Sequence, residues 1–285
     1  MQPIRRYGFD AAILFADILL LPQALGMDLW FVEGEGPRLN PVSCAADLTK
    51  LKGKDDIHDV LGPVYETVKR LSGELPKETT LIGFAGAPWT VATYMVAGRG
   101  TPDQAPAREW MYRDPAGFGQ LIDLITESTI EYLAKQVEAG AEVVKLFDSW
   151  SGALGGSCFE EYALKPAVRI ATELKARFPG LPVIGFPRGA SGGYIKFADA
   201  GVFDGLAIDT SVPADWARDV LQSKVAVQGN LDPMLLITGG ESLERETNRL
   251  LEILGQGPYI FNLGHGITPQ GDPANVEKML RVIRG

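Results

Sequence analysis

Asp17 poses the sharpest chemical question in this sequence. It follows the apolar run 11–16 and is itself followed by Ile18, Leu19, Leu20 and Leu21. A carboxylate in such company is costly to bury unless it is paired or hydrogen-bonded. Two readings are open. In one, a helix N-terminus or a core arginine satisfies the charge. In the other, the carboxylate waits in an apolar cleft for a cationic or N–H-bearing ligand.

Other apolar runs also stop at polar residues. Phe147 leads into Asp148–Ser149–Trp150–Ser151–Gly152, and Phe186 into Pro187–Arg188–Gly189. Ile208 leads into Asp209–Thr210–Ser211, Val227 into Gln228–Gly229–Asn230–Leu231–Asp232–Pro233, and Leu263 into Gly264–His265–Gly266. Singly each is weak, because Ser and Thr also cap helices. Repeated after successive strands, they describe one catalytic edge of a parallel barrel. Of the two histidines, His58 lies in the charged stretch 54–59 and is expected to face solvent. His265 stands between glycines, where a ligand can come close. The segment 83–90 leads to Tyr94; it reads as a tight strand-to-helix turn, with Trp89 and Tyr94 supplying aromatic faces or a phenol donor.

The remaining chemistry is defined by exclusion. Cys44 and Cys158 form no paired motif, so neither a disulfide framework nor a transition-metal site is expected. A reducing cytoplasm follows. No Gly-x-Ser-x-Gly elbow supports a Ser–His–Asp triad. The net charge of -9 offers no basic footprint for nucleic acid. Arg5 and Arg6 before an apolar stretch imitate a signal peptide, but Asp10 and Asp17 interrupt it. No run of about 18 uncharged apolar residues suggests a membrane span.

Positioning these groups requires a repeated scaffold. The chain has 285 residues, 46% of them hydrophobic. That suits two domains or one α/β barrel. Seven short apolar runs, at 11–16, 81–85, 143–147, 182–186, 205–208, 225–227 and 259–263, read as strands covered on both faces. Helical patterns separate them. Asp114–Pro115 begins one that stops at Gly140. Others run over about 160–178, 213–221, 241–254 and 273–283, and Val64, Val68 and Leu71 mark another. Such alternation implies βαβ units and a parallel sheet. A (β/α)8 barrel needs eight strands, and a doubly wound sheet needs fewer. No Gly-x-Gly-x-x-Gly follows the first strand, and in Gly34–Glu35–Gly36–Pro37 the carboxylate would repel phosphate.

Taken together, the motifs resemble the uroporphyrinogen decarboxylase family over nearly the whole chain. The resemblance rests on the consecutive residues 5–19, on Gly34–Glu35–Gly36–Pro37–Arg38, and on Gly83–Phe84–Ala85–Gly86–Ala87–Pro88–Trp89–Thr90. It continues in Leu146–Phe147–Asp148–Ser149, Gln228–Gly229–Asn230–Leu231–Asp232–Pro233 and Asn262–Leu263–Gly264–His265–Gly266. It implies an α/β TIM-type (β/α)8 barrel, a homodimer, and no metal or organic cofactor. The implied reaction removes the carboxyls of the four acetate side chains of uroporphyrinogen III, giving coproporphyrinogen III in haem biosynthesis. By the same resemblance Asp17 is the pyrrole-binding aspartate and catalytic residue. Tyr94, Ser149 and His265 fall on the family's substrate-binding positions. A substrate of eight carboxylates needs local positive charge, for which Arg38 and Arg188 are candidates; for both the other reading is surface structure.

One departure stands out. The family's Arg–Gln–Ala–Gly–Arg-type segment, on and after its first strand, has no counterpart here. The expectation is therefore a single barrel domain over 1–285, N-terminally incomplete, lacking its first strand and impaired in turnover. Two other readings were weighed: a zinc-dependent corrinoid- or folate-linked methyltransferase of related fold, and a non-catalytic tetrapyrrole-binding remnant.

Overall fold

The computed structural model describes residues 1–285 apart from Phe15 and Glu35. Phe15 of the first apolar run and the phosphate-repelling role of Glu35 therefore lie outside the described residues.

All seven apolar runs form strands of one parallel sheet. They are β1 (Ala11–Ile13), β4 (Thr80–Gly86), β5 (Val143–Asp148), β6 (Val183–Pro187), β7 (Gly205–Ala207), β8 (Ala226–Leu231) and β9 (Tyr259–Leu263). They lie in the order β1-β4-β5-β6-β7-β8-β9. Each connection carries at least one helix, as parallel pairing requires. The helical pattern after Asp114 becomes Pro115–Glu138, with the Asp114 carboxylate accepting from the Gly117 N–H. The pattern over 160–178 is interrupted by a π-helical turn at Glu160–Leu164 before Lys165–Arg177.

An inner layer built from strand residues alone distinguishes this sheet from a doubly wound one, which carries helices on both faces. The larger layer packs helices on the outer face. The inner face holds Ile184, Phe186 and Ala207, with Val143 and Phe147 packed against them. A sheet that curls can bury such a stack on itself. Among the described residues no pairing joins β1 to β9. The inward positions of these two strands stay open to solvent: Ile13 is 44% exposed and Ile260 40%. Outside them, the helices Gln2–Tyr7 and Pro273–Arg284 are tied together. The Arg284 guanidinium donates to the Tyr7 carbonyl at 3.0 Å, and Arg6 pairs with Glu277 at 2.9 Å.

A second sheet was not foreseen. β2 (Leu29–Val32) and β3 (Gly36–Leu39) form an antiparallel hairpin after the helix Leu20–Ala24. Gly34 (φ 76°) and Gly36 (φ 82°) supply left-handed conformations at its turn. The paired glycines thus serve a turn.

The outer layer also fixes β4 by a polar contact. Gln136 is fully buried, and its side-chain amide accepts from the Phe84 N–H (2.9 Å) and donates to the Phe84 carbonyl (3.0 Å). A Cβ at Gly83 would stand 2.9 Å from the Gln136 Oε1, so glycine is required there. His58 departs from expectation. It is half-buried at the start of His58–Glu74, with Nδ1 3.0 Å from the Tyr65 hydroxyl two turns along the same helical face.

Candidate active site

The carboxyl ends of β5 to β9 surround a cavity of about 500 Å³. Its wall includes Ser149 and Trp150 after β5, Arg188 after β6, Asp209 after β7, Asp232 after β8 and His265 after β9. Strand ends collect side chains because parallel strands all deliver their following loops to one edge. The loops after β5 and β6 are pressed together. A Cβ at Gly152 would lie 2.8 Å from the Gly189 carbonyl oxygen. The Gly152 N–H and the Ser151 hydroxyl both donate to the Arg188 carbonyl, at 3.0 and 2.9 Å. The Arg188 backbone is therefore fixed while its side chain lines the cavity.

The charges here are unevenly satisfied. The Asp209 carboxylate accepts from the Gly189 N–H (2.7 Å), the Tyr194 hydroxyl (2.8 Å), and the Ser211 N–H and hydroxyl (2.9 and 2.5 Å). Burial pushes its pKa up, but these donors outweigh that and hold it below the ordinary value. Arg188, by contrast, is half-buried and makes no ion pair among the described residues. His265 is exposed at the rim, with its ring centroid 6.5 Å from that of Phe186. Lost hydration lowers its pKa first; Arg188 and Lys145 act the same way, and Asp209 opposes them. The imidazole is thus neutral at pH 7.

Tyr94 and Asp17 lie beside this cavity, outside its lining. Trp150, in the wall, is tied to the helix that carries Tyr94: its N–H donates to the Thr90 hydroxyl at 3.1 Å, and its carbonyl accepts from the Trp89 indole at 2.9 Å. Burial raises the Tyr94 pKa, and the negative charge of Asp17 adds to that. Asp17 is half-buried, and its Oδ1 accepts from the Leu19 N–H at 2.9 Å. That bond turns the chain into Leu20–Ala24. The helix-entry reading of Asp17 thus accounts for one oxygen and leaves acceptor capacity for a ligand. Arg38 is on β3 of the hairpin and does not line the cavity.

Two features escaped the sequence reading. Gln104 lines the cavity from a left-handed conformation, φ 55°. Lys145 sits inside the curled sheet, 6% exposed, 4.6 Å from the Phe147 centroid and 5.3 Å from that of Phe186. Its signal was present: a lysine in the middle of an apolar run. Among the described residues, no three His, Cys, Asp or Glu side chains converge as a metal-binding group. No helix among them is long and apolar enough to cross a membrane.

Fold and site together define a TIM-like α/β protein whose carboxyl strand edge encloses a polar cavity. One solved structure with this fold is a methyltransferase from Methanosarcina mazei, TM-score 0.83, covering 98% of this chain and 81% of that one. At 20% identity the likeness shows the fold alone. The family model for uroporphyrinogen decarboxylase matches residues 1–285, and the chain belongs to that family. The uroporphyrinogen decarboxylase of Paracoccus denitrificans (strain Pd 1222) is 65% identical over 285 residues. That of Jannaschia sp. (strain CCS1) is 64% identical over 284 residues. Each alignment covers 100% of this chain and 83% of the relative.

Proposed function

We propose that this chain decarboxylates the four acetate side chains of uroporphyrinogen III, yielding coproporphyrinogen III and carbon dioxide in tetrapyrrole biosynthesis. The supporting observation is the cavity itself. It gathers Ser149, Arg188 and His265, with Tyr94 and Asp17 adjoining, in a chain matched to the decarboxylase family along its whole length.

The chemistry needs a place for the electron pair left when carbon dioxide departs. A proton added to the pyrrole ring makes the ring cationic. The bond from the acetate methylene to its carboxylate then breaks, and its electrons neutralise the ring. A proton added to the methylene carbon completes the methyl group, and loss of the ring proton restores the pyrrole. Each cycle consumes one proton per carboxylate removed. The transient cation is the costly species. A fixed carboxylate at Asp17, accepting pyrrole N–H groups, offsets that charge in a site shielded from water. Tyr94, with its phenol held protonated, donates near the reacting acetate. Ser149 and neutral His265 donate to peripheral carboxylates, and Arg188 supplies the local positive charge that a chain of net charge -9 otherwise lacks.

We also infer a homodimer, in the cytoplasm, with no nucleic-acid partner. The exposed Trp30 (44%) and Phe31 (67%) of the hairpin offer an apolar surface for a second copy. Light scattering that shows only monomer would reject this.

The test is anaerobic incubation with uroporphyrinogen III, then oxidation and chromatography of the porphyrins. Successive loss of four carboxyls is expected. Tetrapyrrole binding without release of carbon dioxide would reject catalysis.

A further inference from the structure

We propose that Asp148 and Thr90 are positioning residues: they clamp the Trp150 backbone to the helix that carries Tyr94 and so set the Tyr94 phenol beside the cavity wall. The inference rests on the decarboxylase reading, in which Tyr94 meets substrate.

The clamp joins two strand-end segments. Tyr94 rides on the helix Pro88–Ala97 after β4, whereas Ser149 and Trp150 follow β5. Thr90, in the first turn of that helix, is 1% exposed, and Asp148, the last residue of β5, is 3% exposed. The Thr90 hydroxyl donates to Asp148 Oδ1 at 2.6 Å and accepts from the Trp150 N–H at 3.1 Å. The Trp89 indole donates to the Trp150 carbonyl at 2.9 Å. Both backbone polar groups of Trp150 are thus held by the helix that carries Tyr94.

Asp148 gives this clamp its direction. A helical threonine ordinarily turns its hydroxyl hydrogen to the carbonyl four residues back. Asp148 draws that hydrogen away, leaving a lone pair for Trp150. The arrangement is expensive. The second carboxylate oxygen of Asp148 is buried with no hydrogen-bond partner among the described residues. Burial pushes the carboxyl pKa up to about 7, with the Thr90 bonds pulling the other way. Local folding alone would be served equally by an apolar side chain at this position. Alignment of Tyr94 with the cavity wall is what the carboxyl adds.

The decisive experiment is a double-mutant cycle on the full chain with uroporphyrinogen III. Thr90→Val is expected to lower kcat about tenfold and change KM less than twofold, and Thr90→Ser to restore kcat. In a Tyr94→Phe background Thr90→Val should cost nothing more, because the group it positions is gone. Additive losses in the cycle overturn the inference, as does full activity of Tyr94→Phe. Asp148→Asn, which keeps an acceptor for Thr90, should lose less kcat than Asp148→Leu; equal losses also overturn it. An inactive wild-type chain removes the decarboxylase reading and this inference together, whereas additivity in an active enzyme removes this inference alone.

Discussion

Lys145 Nζ donates to Gln228 Oε1 at 2.5 Å, bridging β5 and β8 through the interior of the curled sheet. The contact crosses a space otherwise filled by Phe147 and Phe186, whose faces receive the ammonium. Burial lowers the lysine pKa from 10.5 to about 7.

This depression carries a stability signature. Between pH 7 and 10.5 the unfolded chain keeps a proton that folded Lys145 releases, so stability rises with pH across that window. Below pH 7 both states are protonated and the full penalty remains. Lys145→Met removes the titration. Its stability relative to wild type should be most favourable below pH 7 and decline by on the order of a few kcal/mol towards pH 10. The orphaned Gln228 carbonyl subtracts about 1 kcal/mol at every pH. Urea unfolding at several pH values measures this, and parallel curves for the two proteins would contradict it.

Lys145 also illustrates what the amino-acid pattern could and could not reveal. Strands β4 to β8 were readable because each is covered on both faces, which leaves near-continuous apolar runs between turn residues. β1 and β9 carry apolar runs of the same kind, although their inward positions Ile13 and Ile260 face solvent. Lys145 breaks the run 143–147, but its partner was hidden, since periodicity does not say which residues meet across a curled sheet. The hairpin was missed because its strands are four residues each and leave Trp30 and Phe31 in solvent, so no buried face marks them. Ser149, Arg188 and His265 could be chosen as strand-end residues, and the cavity unites them. The adjacency of Asp17 and Tyr94 depends on packing between segments 77 residues apart, which no local pattern encodes.

Arg188 lines the cavity and makes no ion pair among the described residues, while Asp209 accepts from four neutral donors. A carboxylate of the substrate is its natural partner. Arg188→Gln should raise KM for uroporphyrinogen about tenfold, the equivalent of about 1.4 kcal/mol, with a smaller change in kcat. The salt dependence of KM should also weaken, because one cationic contact is lost. An unchanged KM at low salt would remove Arg188 from the binding set.

His265 offers a pH test of opposite character. Its lowered pKa leaves it neutral at pH 7 and charged only in acid. Protonation adds positive charge beside bound carboxylates, so KM should fall as pH drops through that pKa. His265→Gln retains a donor and an acceptor but cannot titrate, and its KM should lack this limb. Steady-state kinetics from pH 5 to 8 compare the two; superimposable pH profiles would exclude the imidazole as the titrating group.

Asp17 is the most severe test. Its Oδ1 already accepts the Leu19 N–H, so Asp17→Asn can keep that turn with its amide oxygen and should fold normally. What it cannot keep is the negative charge. The cationic pyrrole would then face a neutral dipole, with an amide N–H directed at ring N–H groups that need an acceptor. Loss of one preorganised electrostatic partner commonly costs about 10²–10³ in kcat. A loss of at least about 100-fold in kcat is expected, with unchanged thermal unfolding and weaker tetrapyrrole binding, because the ring N–H groups lose their acceptor. That outcome matters, because a residue used only to enter Leu20–Ala24 would be replaced by Asn without loss and would spare the chemistry. Near-normal formation of coproporphyrinogen by Asp17→Asn would assign the charge balance to another group.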